Sequence, residues 1–241
     1  HHIDLRLKTE LKAILDNGQG KVSAVRTNQQ EKISCGFVGL TAGVHPNIHF
    51  LKDTELETDR GILIDSQLRS NMANVYAVGD CAQLRKPKTG RRAIEAIWYT
   101  GRMMGELVAH NILKPENPLD YDPGIWFNSA KFFNIEYQVY GEVPSQLPED
   151  IQTLFWQSED GKKSVRINFD KEKLHVRGFN LMGVRFRQQV CEKWIAEQTR
   201  IDQVLSNLEL AAFDPEFYGH YEEALRIKFK ALTGRSLKKR N

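Results

Sequence analysis

The chain has 241 residues, of which 41% are hydrophobic and 27% are charged, and its formal net charge at pH 7 is +3. This composition is typical of a globular protein with one large or two smaller domains. The small net charge gives no indication of nucleic-acid binding, and no apolar run approaches the ~18 residues that suggest a membrane-spanning helix.

The cysteine content bears on metal binding and on the cellular compartment. Cys35, Cys81 and Cys191 are far apart, and no CxxC pair occurs. A sparse, odd number of cysteines argues against a disulfide framework or a zinc site and favours a reducing compartment. We therefore expect a cytoplasmic protein with no metal site.

The first part of the chain predicts a small antiparallel meander. Apolar and polar residues alternate over residues 3–7, and the predicted strand continues over residues 10–15. Residues 16–18, Asp-Asn-Gly, are typical of a hairpin turn. Further strands are predicted over residues 22–26 and 33–40.

The most informative stretch ends in a glycine and an aspartate. Residues 75–78 form an apolar run that predicts a buried strand of a parallel sheet, and Gly79 and Asp80 follow it. Ligands of open α/β sheets bind beyond the carboxyl ends of the strands. Gly79 lets a ligand or another backbone come close, and the oxygens of Asp80 can accept hydrogen bonds from ribityl or sugar hydroxyls. Taken alone, these residues also fit a strand, a turn and a helix-capping aspartate.

A long helix is predicted after this turn. It is expected to begin at Thr89 and Gly90 and to end near Leu113, because apolar residues recur at helical spacing between them. Trp98 and Tyr99 are expected in the core more readily than against a ligand. Arg91 and Arg92 begin the run Arg91-Arg92-Ala93-Ile94. Each arginine is as consistent with a surface charge as with a role at a site.

The stretch of residues 58–80 closely resembles the second flavin-binding motif of the FAD-dependent pyridine nucleotide-disulfide oxidoreductases. The resemblance implies that Gly79 and Asp80 hold the ribityl chain of FAD. The glycine turn at Gly43, which precedes Pro46, resembles the loop that leads from the family's NAD(P)-binding domain back into its FAD domain.

The run that begins at Arg91 resembles the Arg-Gln-Ala-Ile of thioredoxin-reductase-like members. This resemblance implies that the helix start at Arg92 and Ala93 faces the pyrimidine edge of the flavin. A helix N-terminus carries roughly half a positive charge, which stabilises the anion that forms when flavin accepts hydride. Arg92 stands where those relatives have a glutamine, so the resemblance assigns no role to its side chain.

The family resemblance also implies the fold class and the domain order. The fold class is α/β plus α+β, the C-terminal part of a flavoprotein with two dinucleotide-binding domains and a C-terminal interface domain. The expected parts are the last strands of the NAD(P)-binding domain over residues 1–50, the second half of the FAD domain over residues 51–118, and an interface domain over residues 119–241. No GxGxxG loop occurs in the chain, so we expect part of a longer enzyme; the alternative is a natural stand-alone protein.

The last third of the chain predicts a compact sheet with helices. Strands are predicted over residues 133–139, 154–156, 165–169 and 174–176, and helices over residues 187–197, 201–208 and 217–232. This order resembles the interface domain through which many relatives dimerise, so a homodimer through residues 119–241 is expected. The aromatic residues Trp126, Phe127, Phe132 and Phe133 fit either that interface or the core of the domain.

These patterns predict an oxidoreductase that passes hydride from NAD(P)H to FAD and electrons onward, with no catalytic residue assigned in this chain. His220 is not part of the His-Pro…Glu signature of glutathione-reductase-like members. This difference favours other acceptors: an iron–sulfur protein, rubredoxin, a nitrite-reducing module, a quinone or oxygen. A redox acceptor protein is therefore an expected partner. The alternative is a non-catalytic interaction module with a degenerate FAD-binding half.

Overall fold

The computed structural model describes residues 2–88, 90–213, 221–235 and 237. The chain divides into two compact units, His1–His45 and Pro46–Asn241. The domain boundaries predicted at residues 50 and 118 stay predictions.

The first unit is a three-stranded antiparallel sheet in the order β1-β2-β3. Its strands are β1 (Leu11–Asp16), β2 (Val22–Thr27) and β3 (Lys32–Ser34). The Asn17 amide donates to the Lys21 carbonyl at 2.9 Å and closes the turn between β1 and β2. The predicted meander and its hairpin are therefore confirmed.

Two strand predictions in this unit are wrong. Residues 3–7 form no strand, and Ile3, Leu5 and Leu7 are 66%, 75% and 74% exposed. The third strand stops at Ser34 instead of continuing to residue 40. An alternating pattern makes a strand only where a neighbour satisfies the backbone groups, and no described strand of this unit pairs with these residues.

The second unit begins with a parallel pair of short strands and a helix. Strands β4 (Ile62–Ile64) and β5 (Ala82–Leu84) pair in register, and helix α1 (Trp98–Leu113) follows. A small core joins them; its buried members are Ile64, Leu68, Ala77, Ala82 and Met104. Met104 belongs to α1, so the helix packs on the strand pair.

The parallel strand predicted over residues 75–78 is wrong. Tyr76 forms only an isolated antiparallel bridge with Arg69, and Val78 is 36% exposed. A buried parallel strand needs neighbours that accept and donate along its length, and the described residues supply one bridge.

The start predicted for α1 is also wrong. The helix begins at Trp98, after Ile97 in extended conformation, and ends at Leu113 as predicted. Of the predicted start, Thr89 lies outside the described residues and Gly90 is not helical. Trp98 is 69% exposed, so its predicted place in the core is wrong as well.

The rest of the second unit is an antiparallel sheet of five strands in the order β6-β7-β10-β9-β8. Its strands are β6 (Phe127–Phe132), β7 (Ile135–Gly141), β8 (Ile151–Gln157), β9 (Ser164–Asp170) and β10 (Val176–Met182). The predictions located β7, β8 and β9, whereas the strand predicted over residues 174–176 shares only Val176 with β10. Strand β6 is an addition, because the prediction began the sheet at residue 133.

Three helices cover this sheet, as predicted. They are α2 (Gln188–Ala196), α3 (Ile201–Ser206) and α4 (Glu222–Thr233). Helix α4 ends at Gly234, whose φ of +72° is typical of a glycine C-cap. His220 and the predicted first turn of α4 lie outside the described residues.

The main hydrophobic core lies between the sheet and these helices. Its largest fully buried side chains include Phe169, Phe179, Phe186 and Phe229. The rings of Phe169 on β9 and Phe229 on α4 meet edge to face, with centroids 6.3 Å apart. The three cysteines form no disulfide. None of the helices in the described part of the chain has the length and apolar character needed to cross a membrane.

Candidate functional site

The Gly79 turn is held against the backbone of α1. Gly79 begins a short 3₁₀ turn that ends at Cys81, and its φ of +72° is one that L side chains rarely adopt. The Gly79 amide donates to the Met104 sulfur at 3.4 Å. A Cβ placed on Gly101 of α1 would lie 3.5 Å from the Gly79 Cα. The paired glycines therefore let the turn lie directly on the first turns of the helix.

This turn presents the Asp80 carboxylate at the surface. Asp80 is exposed, and within the described part of the chain its side chain has no hydrogen bond or ion pair. The neighbouring Cys81 thiol donates to the Val78 carbonyl at a sulfur–oxygen distance of 3.7 Å. Both oxygens of Asp80 are thus available to accept hydrogen bonds from a ligand.

A polar network, which the sequence reasoning missed, fixes the strand pair beneath the turn. The buried Gln83 accepts from the Gly61 amide at 2.9 Å and donates to Asp59 at 2.9 Å. The hydrogen bond from Gln83 holds the pKa of Asp59 below its usual range. A Cβ on Gly61 would lie 2.7 Å from the Cys81 carbonyl oxygen. The signal was a glutamine inside a short apolar strand, where a buried amide needs partners.

Arg92 and Ala93 lie in an irregular segment before α1 and not at a helix start. The Leu84 amide donates to the Ala93 carbonyl at 2.9 Å, which ties the segment to the end of β5. Arg92 is exposed and has no partner among the described residues. The predicted helix N-terminus at these residues is wrong, while their contact with FAD stays a prediction.

A buried ion pair holds this segment, so Arg91 is not a surface charge. The guanidinium of Arg91 donates twice to Glu95, at 2.6 and 2.5 Å, and the side chains are only 8% and 5% exposed. It also donates to the carbonyls of Pro123 and Gly124, each at 3.0 Å. Burial, and next the charge of Glu95, raise the pKa of the nearby Tyr121 to about 12.

The remaining predicted site residue, Gly43, belongs to the first unit. Its φ is +91°, and a Cβ placed there would meet no atom within 4 Å. The glycine is thus explained by backbone conformation and not by a close packing contact. Its role at a cofactor site stays a prediction.

Two cavities in the second unit lie away from Asp80. The larger, about 520 Å³, lies between Met103 on α1, the segment of residues 122–125 and helix α2. The smaller, about 140 Å³, lies beside Phe127. No cluster of three or more His, Cys, Asp or Glu side chains suited to a metal ion occurs in the described residues.

Comparison with known proteins identifies the first part of the chain. A family model for pyridine nucleotide-disulphide oxidoreductases matches residues 1–103. Residues 1–103 belong to this family. The resemblance proposed from the motif at residues 58–80 is thereby confirmed, and pyridine nucleotide-disulphide oxidoreductases use FAD and NAD(P)H.

Three curated relatives of this chain are reductases. It is 36% identical over 98 residues to rhodocoxin reductase of Rhodococcus erythropolis, covering 40% of this chain and 23% of that protein. It is 30% identical over 160 residues to the NAD(P)H coenzyme A polysulfide/persulfide reductase of Pyrococcus horikoshii, covering 64% of this chain and 35% of that protein. It is 24% identical over 124 residues to the rubredoxin-NAD(+) reductase of Ectopseudomonas oleovorans, covering 52% of this chain and 32% of that protein. The chain thus spans only a quarter to a third of these relatives.

Solved structures extend the likeness of fold to most of this chain. A NAD-dependent persulfide reductase from A. fulgidus superposes with a TM-score of 0.72 at 20% identity, over 94% of this chain and 44% of that one. An FAD-dependent pyridine nucleotide-disulphide oxidoreductase from Desulfovibrio vulgaris superposes with a TM-score of 0.64 at 17% identity, over 93% of this chain and 55% of that one. The predicted fold class, a flavoprotein-like α/β part followed by an α+β part, is confirmed.

Proposed function

We propose that this chain is part of an FAD-dependent NAD(P)H oxidoreductase. FAD supplies the chemistry when bound, accepting hydride from NAD(P)H and giving electrons to an acceptor. The observation that carries the proposal is Asp80, an exposed carboxylate without a partner in the described chain, on a turn that the Gly79–Gly101 contact fixes. This arrangement fits a ribityl chain, which offers several hydroxyl donors.

The chain's own residues bind and orient in this proposal. Asp80 accepts hydrogen bonds from ribityl hydroxyls, and Gly79 admits them because no side chain stands in the way. Arg92 and the Ala93 backbone, held by the Arg91–Glu95 pair, lie at the pyrimidine edge and favour negative charge there. Gly43 belongs to the loop that connects the two nucleotide-binding parts.

Replacing Asp80 tests this assignment. In the full-length protein we expect Asp80→Ala to weaken FAD retention by roughly ten- to a hundredfold, since a hydrogen bond to a charged group contributes about 1.5–3 kcal/mol. The measurement is the flavin absorbance relative to protein absorbance after purification and dialysis, followed by FAD titration. Asp53→Ala is the control, because Asp53 is also an exposed aspartate of the second unit. Equal FAD occupancy in the two variants would contradict the assignment of Asp80 as a residue that binds the ribityl chain.

The 241-residue chain by itself is expected to have no NAD(P)H oxidase activity. The pyrophosphate of a dinucleotide binds at a glycine loop followed by a helix N-terminus, and no GxGxxG loop occurs in these residues. The measurement is a titration of the chain with FAD, then turnover of NADH and NADPH with an artificial electron acceptor. Tight stoichiometric FAD binding with turnover would contradict this prediction.

We also propose a homodimer through residues 119–241. Strand β6 is an edge of the five-stranded sheet, and Phe132 on it is 59% exposed. Phe127 instead packs against the core and Trp126 lies under Arg91, so only part of the aromatic cluster is available. Phe132→Ser should shift the mass from dimer to monomer in light scattering, whereas Phe155→Ser on the opposite edge strand should not. A monomeric parent chain at high concentration would rule out the dimer.

The relatives favour a redox protein as the electron acceptor. Rhodocoxin reductase and rubredoxin-NAD(+) reductase are named for such partners. We propose an acceptor of this kind for the whole enzyme and a cytoplasmic location, in line with three unpaired cysteines. NADH-driven reduction of a purified rubredoxin, followed by its visible absorbance, tests the acceptor class; reduction of quinones or oxygen alone would exclude it.

A further inference from the structure

The smaller cavity is built differently from an ordinary packing defect. Its volume of about 140 Å³ lies between the first turn of α1, the strands β6 and β7, and the start of α2. All nine residues that line it are uncharged. Aromatic rings form part of its wall, and six of the nine lining residues carry a side-chain amide or hydroxyl: Tyr99, Asn128, Ser129, Gln138, Tyr140 and Gln188.

Gln138 on β7 offers an amide donor at this cavity. The residue is only 7% exposed, and its side-chain oxygen accepts from the Phe186 backbone amide at 2.9 Å. A backbone N–H bonds only to an acceptor, so this contact fixes the orientation of the amide. The NH₂ group of Gln138 therefore faces away from Phe186 and has no partner among the described residues. This NH₂ group is not fully buried, so it is accessible from the cavity and can donate to an acceptor of a ligand.

A second donor comes from a pair of hydroxyls at the same cavity. The Tyr99 hydroxyl lies 2.9 Å from the Ser129 hydroxyl. Only one proton lies between the two oxygens, so the other hydroxyl proton is free to bond a further acceptor. The Tyr99 ring packs on Phe127, with centroids 4.9 Å apart, which holds this hydroxyl in place.

We propose that this cavity binds a flat, uncharged ring that bears a carbonyl oxygen. A cavity of about 150 Å³ is known to accommodate benzene, so a volume of about 140 Å³ holds one six-membered ring. The carbonyl oxygen accepts from the Gln138 NH₂ group or from the Tyr99–Ser129 pair, and the ring lies against Phe127. An ionised ligand is excluded because no lining side chain compensates a buried charge.

Ligand-observed NMR on the 241-residue chain tests this with three matched probes. Benzamide has the ring and the carbonyl, toluene lacks the carbonyl, and benzoate carries a charge. We expect benzamide to bind with a dissociation constant of about 1 mM or tighter, which is within the range for so small a ligand. Toluene and benzoate should bind at least about tenfold more weakly. No FAD is needed, so the outcome is independent of the Asp80 experiment.

Variants of the cavity complete the test. Gln138→Glu keeps an oxygen for the Phe186 amide but replaces the NH₂ donor, so benzamide should bind at least about tenfold more weakly. Ser129→Ala, on the exposed edge strand, should weaken benzamide binding severalfold without loss of the fold. Tyr137→Phe removes a hydroxyl of β7 that does not line the cavity, and should bind like the parent chain. Absent benzamide binding, binding by benzoate as strong as by benzamide, or full binding in both Gln138→Glu and Ser129→Ala would each overturn the proposal.

Discussion

Gly141→Ala is expected to lower the free energy of unfolding by about 2–5 kcal/mol. Gly141 ends β7 with a φ of +68° and lies opposite Gly178 of β10. A Cβ at Gly141 would overlap the Arg177 carbonyl oxygen and lie 2.8 Å from the Ile195 side chain. The left-handed backbone costs an L residue about 1–2 kcal/mol, and overpacking of this kind costs about 1–3 kcal/mol.

Gly161→Ala is the matched control for this variant. Gly161 lies in the turn between β8 and β9 with a φ of +69°, and the nearest atom to an added Cβ is the Gln157 side-chain nitrogen at 3.5 Å. The free energy of unfolding of Gly161→Ala should therefore fall only by the cost of the left-handed backbone, about 1–2 kcal/mol. Urea unfolding of both variants and the parent measures the difference. Equal losses would show that the close approach of β7 and β10 is not what requires glycine at residue 141.

The sequence predicted the C-terminal part of the fold best because its patterns are local. Strands β7 and β9 carry alternating apolar residues, β8 carries the short apolar run of residues 154–156, and the periodicity of α2 and α3 is helical. The residues of each element thus specify it without knowledge of its neighbours. The hairpin at residues 16–18 was predicted for the same reason, since Asp-Asn-Gly adopts the turn by its own conformational preference.

Elements that depend on tertiary contacts were predicted wrongly. Residues 91–97 follow a helical pattern, but the Arg91–Glu95 pair is anchored to the carbonyls of Pro123 and Gly124, some 30 residues away. That anchor, together with the bond from Leu84 to Ala93, favours an irregular segment over a first helical turn. A local pattern contains no information about such partners.

The parts of the candidate site formed by adjacent residues of a motif could be predicted from the sequence. The parts formed by residues that are far apart in the chain could not. Asp80 and Gly79 were found because they are adjacent and follow an apolar run. The Gln83–Gly61 bond and the Gln138 cavity join residues far apart in the chain, and a glutamine in a strand is common on exposed faces. Only the burial of these amides distinguishes them, and burial is a property of the folded chain.

Arg91→Ala is expected to destabilise the second unit by about 3–5 kcal/mol. The variant leaves the Glu95 carboxylate buried without its bidentate partner, and removing one member of a buried ion pair costs this much. It also leaves the carbonyls of Pro123 and Gly124 without their donor and removes a guanidinium that lies 5.2 Å from the Trp126 ring centroid. The measurement is again urea unfolding.

Arg102→Ala is the matched control, because Arg102 and Glu106 have the same i,i+4 spacing but are each 63% exposed. An exposed pair of this kind contributes about 0.3–0.5 kcal/mol. Arg91→Met combined with Glu95→Leu should recover much of the loss, since it removes the unpaired charge and keeps apolar volume.

In the FAD-binding protein, Arg91→Ala should also weaken FAD retention, because the segment of Arg92 and Ala93 loses its anchor. If Arg91→Ala costs no more than Arg102→Ala, the ion pair does not hold that segment, and the non-helical conformation of residues 91–97 must depend on the backbone contact with β5 alone.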